Sequence, residues 1–427
     1  MKPREDMTFP FAEYERRLSE LRSHIAERQL DAVVITDPEN IMYLTDYQTT
    51  GYSFFQAIVV PLEDEPFMIT RALEESNIFA RTWVERTRPY PDTGDAIQML
   101  VDALREYGLA NKRIGYERNS YFFPAYQQDF VHTTLAGAKL LDCFGIVEQS
   151  RLRKSPVEIE VMRKAAIATE AGMKAGIEAC QPGVTENEVG AAISAAMFRA
   201  GGEPPAVMPY VTSGPRTMIG HATWEGRELQ AGEHVFLEVG GCYRRYHTAM
   251  MRTVVLGDLS SSMYKAQERM KLALEAVHEQ FQVGMTVSDA DNLIRNIITH
   301  NDVGARLITR SGYSIGIAFP PSWDEGYIVS LKQGESAILQ EGMTFHVIPW
   351  MWGVDGDKTC GISDTIQITR EGCESFFTMP LDFSVKPAKT QANPASTDAT
   401  NAVSQAASPS KHKSAEKPEK ASKAEAT

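Results

Sequence analysis

The charged connector at residues 151–165 constrains the fold of this chain most, because the pattern of predicted secondary structure changes there. Before the connector, short apolar segments such as DAVVIT, FQAIVVPL and RIGYE alternate with amphipathic stretches such as DAIQMLVDALREYG. Alternation of this kind predicts an α/β domain over residues 1–150. Within the connector, RLRKSPVEIEVMRKA, Ser155 and Pro156 have the pattern of a helix cap followed by a first-turn proline.

The second half of the chain groups its helices and strands instead of alternating them. Helical patterns cover about 156–180, 261–282 and 287–300, while GEHVFLEVGG, YHTAMMRTVVLG and GMTFHVIPWMWGV have the composition of strands. This grouping predicts an α+β domain over residues 151–385. We expect the first two strand segments to pair as a hairpin that turns around Gly240 and Gly241.

Residues 386–427 differ in composition from the rest of the chain. They are rich in Ala, Ser, Lys and Pro and hold almost no apolar bulk, so we expect a disordered tail. The tail carries seven lysines against four acidic residues, so the remainder is more acidic than the net charge of −13 for the whole chain. An acidic body argues against a nucleic-acid partner.

The sequence has no feature of a membrane or secreted protein. No apolar run approaches the length of a membrane-spanning helix, and the N-terminal MKPREDMTFPFAEYERR lacks the pattern of a signal peptide. The five cysteines are scattered and have no CxxC spacing, which favours reduced thiols over disulfides or a zinc site. We therefore expect a cytoplasmic protein with no membrane partner.

One carboxylate in the second half lies on an otherwise apolar strand. Strand alternation places Glu238 on the same face as Phe236, opposite Leu237 and its apolar neighbours. A carboxylate is costly to bury unless it is paired or used, so Glu238 is a candidate catalytic residue. His221 lies in a loop seventeen residues earlier, and the expected hairpin brings His247 near Glu238.

Two later segments combine aromatic and ionisable residues in strand context. SGYSIGIAFPPSWDEG carries Tyr313 and Trp323, and EGMTFHVIPWMWGVDGDKTCGISDTIQIT carries His346, Trp350 and Asp364. Aromatic residues at such positions serve as core packing in many proteins, so spacing alone does not assign them to a ligand site.

These segments, in this order, resemble the pita-bread family that contains methionine aminopeptidase, prolidase and creatinase. The resemblance covers about residues 11–380 and is carried by RLRKSPVEIEVMRKAA, TSGP, YHTAMMRT and GMTFHVIP. It implies a creatinase-like α/β N-terminal domain followed by an α+β pita-bread catalytic domain. It also implies a homodimer in which the small N-terminal domain of one protomer closes over the site of its partner.

Metallopeptidases that this chain resembles hold two divalent ions with five ligands. Motif by motif, those ligand positions correspond here to Glu238, Ala249, Tyr313, Ile348 and Ser363. Only the first keeps a carboxylate, and alanine and isoleucine have no donor atom. The sequence therefore predicts no metal and no other cofactor, and it excludes a two-metal mechanism at this location.

The ionisable residues that remain at this location, His221, Glu238 and His247, resemble those of the metal-free hydrolases of the family, which include creatinase and ectoine hydrolase. VFLEVGGCYRRYH, IPWMWGVDGDKT and GISDTI are more similar to the second. The resemblance implies hydrolytic ring opening of ectoine, a zwitterionic cyclic amidine, to an N-acetylated diaminobutyrate. The implied catalytic residues are His221, Glu238 and His247. The expected substrate-binding residues are Tyr52, Phe54, Phe55, Tyr313, His346, Trp350 and Asp364.

Several alternatives stay open on the sequence alone. The first is a site for one metal ion, formed by Glu238, His247, His346 and Asp364. A creatinase-like amidinohydrolase, a metal-dependent Xaa-Pro peptidase or lyase, and an inactive binding module share the same fold. If ectoine is the substrate, Glu238 either activates water together with His221 or attacks the amidine carbon directly. Arg216 and Arg252 are candidates for binding the substrate carboxylate.

Overall fold

The computed structural model describes residues 1–386, and the expected disordered tail lies almost wholly outside this range. The first half forms a six-stranded sheet with helices on both faces, which confirms the predicted α/β class. The strands, in spatial order, are β4 (Arg86–Tyr90), β3 (Phe67–Arg71), β2 (Ala57–Pro61), β1 (Ala32–Ile35), β5 (Arg113–Tyr116) and β6 (Lys139–Asp142). The helices are α1 (Phe11–Glu27), α2 (Pro38–Thr45), α3 (Glu75–Arg81), α4 (Ala96–Glu106) and α5 (Ala125–Thr134).

Strand β1 explains why this sheet has helices on both sides. All four of its residues are buried, and alternate side chains enter different cores. Val33 packs in the core that includes Leu21 and Ile25 of α1, while Val34 packs in the core that includes Leu104 of α4. The apolar run without alternation therefore indicates a strand that is buried on both faces of the sheet.

The connector enters the second half through the short helix α6 (Glu148–Arg151) and the long helix α7 (Pro156–Ala179). The side chain of Glu158 accepts a hydrogen bond of 2.9 Å from the backbone N–H of Ser155, which confirms the predicted helix start. Arg151 and Lys154 both pair with the buried carboxylate of Glu325, at 2.6 and 2.8 Å. These pairs attach the connector to the second half.

The second half contains two principal sheets, each covered by a pair of helices. One pair is α7 with α8 (Glu186–Arg199), and the other is α9 (Ser261–Gln280) with α10 (Val287–Thr299). The first sheet has the order β17 (Ser384–Val385), β9 (Tyr246–Val255), β8 (His234–Tyr243) and β7 (Tyr210–Ser213). The second has the order β11 (Ser330–Leu331), β10 (Gly312–Ser314), β12 (Thr344–Val347), β15 (Asp364–Thr369) and β16 (Gly372–Ser375), and a separate pair is formed by β13 (Met351–Val354) and β14 (Lys358–Cys360). The predicted α+β class is confirmed.

The hairpin of β8 and β9 forms as expected, but the predicted turn is wrong. The chain reverses at Arg244 and Arg245, which adopt left-handed φ values of 48° and 64°. Gly240 and Gly241 lie inside β8, where they permit close packing instead of turning. A Cβ on Gly240 would come within 2.5 Å of the Trp323 ring. The turn therefore falls four residues later than the glycines suggest.

Within residues 1–386, no helix combines the length and the apolar character needed to cross a bilayer.

Candidate active site

A cavity of about 220 Å³ lies between the two principal sheets of the second half. Its wall carries several aromatic side chains and few charged groups, as is typical of small-molecule sites. The aromatic residues are Tyr210, Phe236, Tyr313, Trp323, Trp350 and Trp352. The ionisable residues are His221, Glu238, Arg310 and Asp324.

Glu238 is the buried acid of this cavity. It projects from β8 beside Phe236, and the apolar side chains of Leu237 and Val239 point into the core under α7 and α8. Only 8% of Glu238 is exposed, and none of residues 1–386 donates a hydrogen bond to its carboxyl group. Burial raises the pKa of Glu238 to about 8, and the nearby charge of Asp324 adds to the effect. The carboxyl group is thus suited to a cationic ligand.

His221 lies at the mouth of the same cavity, in the loop that precedes β8. The side chain is exposed, and its ring lies 6.2 Å from the ring of Tyr210. His221 has a left-handed φ of 58°, which is unfavourable for a residue with a Cβ. The structure therefore brings His221 and Glu238 to one cavity, as the sequence predicts.

Tyr313 is on the cavity wall, and His346 lies directly behind it. The Tyr313 hydroxyl is 2.8 Å from Nδ1 of His346 and accepts a hydrogen bond of 3.0 Å from the indole N–H of Trp323. Burial raises the pKa of Tyr313 above its ordinary value, with the charge of Glu238 as a further cause. Burial lowers the pKa of His346 to about 3. His346 is therefore a neutral supporting residue that does not line the cavity.

Trp350 forms another part of the wall. Its indole N–H donates a hydrogen bond of 2.9 Å to the Thr309 hydroxyl, which satisfies its polar atom. The ring lies 5.9 Å from Phe236 and 5.0 Å from Trp352. Trp350 therefore has the position that the resemblance implies for a substrate-binding residue.

His247 does not reach the cavity, so the structure speaks against its predicted catalytic role. Its Nδ1 lies 2.9 Å from the carbonyl oxygen of Arg245, and its Nε2 accepts a hydrogen bond of 2.9 Å from the backbone N–H of Ala206. Burial lowers the pKa of His247 to about 3, and the charge of Arg245 adds to this. A neutral imidazole with both nitrogens engaged by backbone groups holds the hairpin in place.

Asp364 also lies away from the cavity. Its carboxylate accepts a hydrogen bond of 2.7 Å from the Ser375 hydroxyl and lies 3.2 Å from Nε2 of His278. These contacts attach β15 to β16 and α9. The predicted role of Asp364 in substrate binding is therefore not supported by its position.

The three aromatic residues expected from the N-terminal half do not line the cavity of their own chain. Tyr52 packs against Phe319 at 5.6 Å, and Phe54 lies exposed with the Arg71 guanidinium 4.3 Å from its ring centre. Phe55 is buried in the N-terminal core, which excludes contact with a substrate. A role for Tyr52 or Phe54 over a partner's site stays a prediction.

Neither arginine suggested by the sequence lines the cavity. Arg216 pairs with Glu186, and Arg252 donates to backbone carbonyl groups, including that of Ser363. The cavity of the described chain instead contains Arg310, which pairs with Asp324 and lies 4.6 Å from the ring centre of Tyr313. The only available sequence signal was its position three residues before Tyr313.

The donor atoms around Glu238 do not fit the two ions typical of family metallopeptidases. Ala249 and Ile348 contribute no donor, and the oxygens of Tyr313 and Ser363 are both bonded to His346. The one-metal alternative fails as well, because the side chains of His247 and Asp364 are engaged elsewhere. Across residues 1–386, the only potential metal cluster of three acids is in the N-terminal half, and consists of Asp37, Glu117 and Glu148.

Comparison with known proteins agrees with this architecture. Residues 160–370 match the model of metallopeptidase family M24, and residues 17–153 match that of the creatinase/prolidase N-terminal domain. An ectoine hydrolase of Halomonas elongata is 30% identical over 89% of this chain and 99% of that protein. An uncharacterized hydrolase/peptidase of Sinorhizobium fredii is 31% identical over 88% and 97%. A prolidase structure from Thermococcus sibiricus gives a TM-score of 0.78 at 20% identity, covering 87% of this chain and 99% of that one.

Proposed function

This chain belongs to metallopeptidase family M24, and from that premise and its altered donor set we propose a metal-independent hydrolase that opens the ring of ectoine. The family and the relatives support a hydrolase in general terms. The observation that carries the finer proposal is Glu238, a buried carboxyl group that accepts no hydrogen bond from residues 1–386 and lies in a cavity with several aromatic side chains. An amidinium ligand supplies the positive charge that this group lacks.

The position of Arg310 on the cavity wall favours a zwitterionic substrate over one that carries only a positive charge. Among residues 1–386, it is the one arginine on the cavity wall, and a guanidinium has five N–H donors in a planar fork. Asp324 and Ser330 use part of this fork, which leaves donors for a substrate carboxylate. A cyclic amidine that carries a carboxylate therefore matches both charged groups of the cavity.

The reaction consistent with these groups is addition of water to the carbon between the two ring nitrogens. His221 removes a proton from the water, and Glu238 holds the amidinium while the oxygen bonds to this carbon. One carbon–nitrogen bond then breaks, and the departing nitrogen takes a proton to give an N-acetylated diaminobutyrate. Direct attack by the Glu238 carboxylate, followed by hydrolysis of the ester, is the alternative route.

The test is incubation of the full chain with ectoine, with and without a chelator. We expect a product heavier than ectoine by one water, formed at the same rate in both samples. Creatine and an Xaa-Pro dipeptide are tested in parallel. Hydrolysis of the dipeptide that is lost on chelation would favour a metallopeptidase, and binding of ectoine without a product would favour an inactive binding module.

The pKa of Glu238 gives a prediction for the pH dependence. Burial and the charge of Asp324 raise this pKa to about 8, so the free enzyme holds Glu238 largely protonated at neutral pH. Because the carboxylate form binds the amidinium, kcat/KM should increase on the order of 20-fold between pH 6.5 and 8.5. Steady-state kinetics in constant-ionic-strength buffers measure this profile. A flat profile would contradict the assignment of Glu238 to the cationic part of the substrate.

We further propose a cytoplasmic homodimer. Free cysteines, four of them buried, support a reducing compartment. The exposed aromatic ring of Phe54, which does not line the cavity of its own chain, supports a role in the site of a second copy. Light scattering should give the mass of two chains, whereas the mass of one chain would exclude this arrangement.

A further inference from the structure

Four buried side chains form a hydrogen-bonded row that leads from the cavity into the protein interior. Trp323 donates to the Tyr313 hydroxyl at 3.0 Å, and this hydroxyl is 2.8 Å from Nδ1 of His346. Nε2 of His346 is 2.7 Å from the Ser363 hydroxyl, which also accepts a hydrogen bond of 2.6 Å from the backbone N–H of Met251. Trp323 and Tyr313 line the cavity, and His346 and Ser363 lie behind them.

The direction of these hydrogen bonds follows from counting donors and acceptors. If Tyr313 donates to His346, then Nε2–H of His346 donates to Ser363, and the Ser363 hydrogen has no acceptor among residues 1–386. In the opposite direction, Ser363 donates to Nε2 and Nδ1–H donates to the Tyr313 oxygen. Because this arrangement satisfies every buried polar group of Ser363 and His346, it is the favoured one.

In the favoured direction, the Tyr313 oxygen accepts two N–H groups and its own hydrogen points to the cavity. We propose that Tyr313 is the acid that protonates the departing ring nitrogen, so it is a catalytic residue of the proposed hydrolysis. His346 and Trp323 are positioning residues, because their N–H groups stabilise the phenolate that forms. This inference rests on the proposed function.

The proton balance of the step is complete. The water oxygen bonds to the amidine carbon and its proton goes to His221, while the broken carbon–nitrogen bond leaves its electron pair on nitrogen. That nitrogen takes the Tyr313 proton, and the second proton of the water leaves the carbon-bound hydroxyl as the amide carbonyl forms and is taken up by the freed amine, which becomes an ammonium group. The proton on His221 returns to the phenolate through solvent. Since burial raises the pKa of Tyr313, the hydroxyl keeps its proton at neutral pH until the nitrogen departs.

The first experiment compares the full chain with Tyr313→Phe. We expect kcat to fall by about 100-fold or more, with less than a threefold change in the dissociation constant for ectoine by calorimetry. Trp323→Phe, which removes one N–H donor, should lower kcat on the order of tenfold. Tyr264→Phe, at an exposed tyrosine outside the cavity, is the matched control and should leave kcat unchanged.

A second measurement does not depend on the folding of the variants. Replacing Tyr313 by a difluorotyrosine keeps the shape of the side chain and makes its hydroxyl more acidic. The alkaline limb of the kcat profile should then move to lower pH. Ring opening by the wild type, together with an active Tyr313→Phe or an unmoved limb, would overturn this inference alone. A wild type that does not open ectoine would overturn the proposed function and this inference with it.

Discussion

Glu238→Gln should lower kcat for ectoine ring opening by about 10³-fold or more. The substitution keeps the shape of the side chain but removes the charge that binds the amidinium and that either assists water or attacks carbon. Product formation is measured by mass spectrometry with enzyme in excess, so that a slow turnover is still detected. Glu228→Gln makes the same chemical change at an exposed position of the preceding segment and should retain full activity.

Thermal unfolding across pH shows whether Glu238→Gln is folded. Because the pKa of buried Glu238 is raised to about 8, the wild type favours the neutral carboxyl group in the folded state. That contribution to the free energy of unfolding is present below about pH 4.5 and is lost as pH rises through about 8. The Gln variant has no such loss, so it should melt at or above the wild-type temperature at pH 9. An active, equally stable Gln variant would contradict the role of the carboxylate.

Arg310→Met should raise KM for ectoine by about 100-fold, because the charged hydrogen bonds to the substrate carboxylate are lost. The discriminating substrate is the same cyclic amidine ring without its carboxylate. For this compound, KM of the Arg310→Met, Asp324→Asn double variant, in which no unpaired charge remains beside Glu238, should lie within threefold of the wild-type value. Steady-state kinetics with both compounds provide the measurement.

A second variant is needed because Arg310 is paired with Asp324. Arg310→Met leaves Asp324 unpaired beside Glu238, and this charge disfavours ionisation of Glu238. Arg310→Met combined with Asp324→Asn removes the added charge and should restore kcat while KM for ectoine stays high. Equal changes in KM for the two substrates would show that Arg310 supports the cavity without binding the carboxylate.

The cavity contains some of the residues that the sequence singled out and lacks others. Glu238, His221, Tyr313 and Trp350 all line one cavity, as the motifs indicated. His247 was assigned by an expected proximity to Glu238, yet the hairpin pairs His247 with Cys242 and Glu238 with Met251. The position of the turn sets this register, and the backbone hydrogen bonds of His247 make it structural.

Arg310 lines the cavity but was not among the predicted site residues. Nothing about a single arginine before a strand separates a surface side chain from a cavity wall. Its role depends on the segment around Asp324 and Tyr313 folding back over β8, which lies well before that segment in the chain. Residues from separate segments meet in this way only when the sheets pack, so the spacing of residues in the sequence does not predict the contact.

The sequence by itself determined the two fold classes, the helix start at Ser155 and the face on which Glu238 lies, because backbone periodicity and capping are local. It also determined that donor atoms are missing at family metal positions, since alanine and isoleucine have none. Only the tertiary structure decided which side chains share the cavity and which way Tyr313 donates its proton. Those facts depend on long-range packing and on counting every buried hydrogen-bond partner.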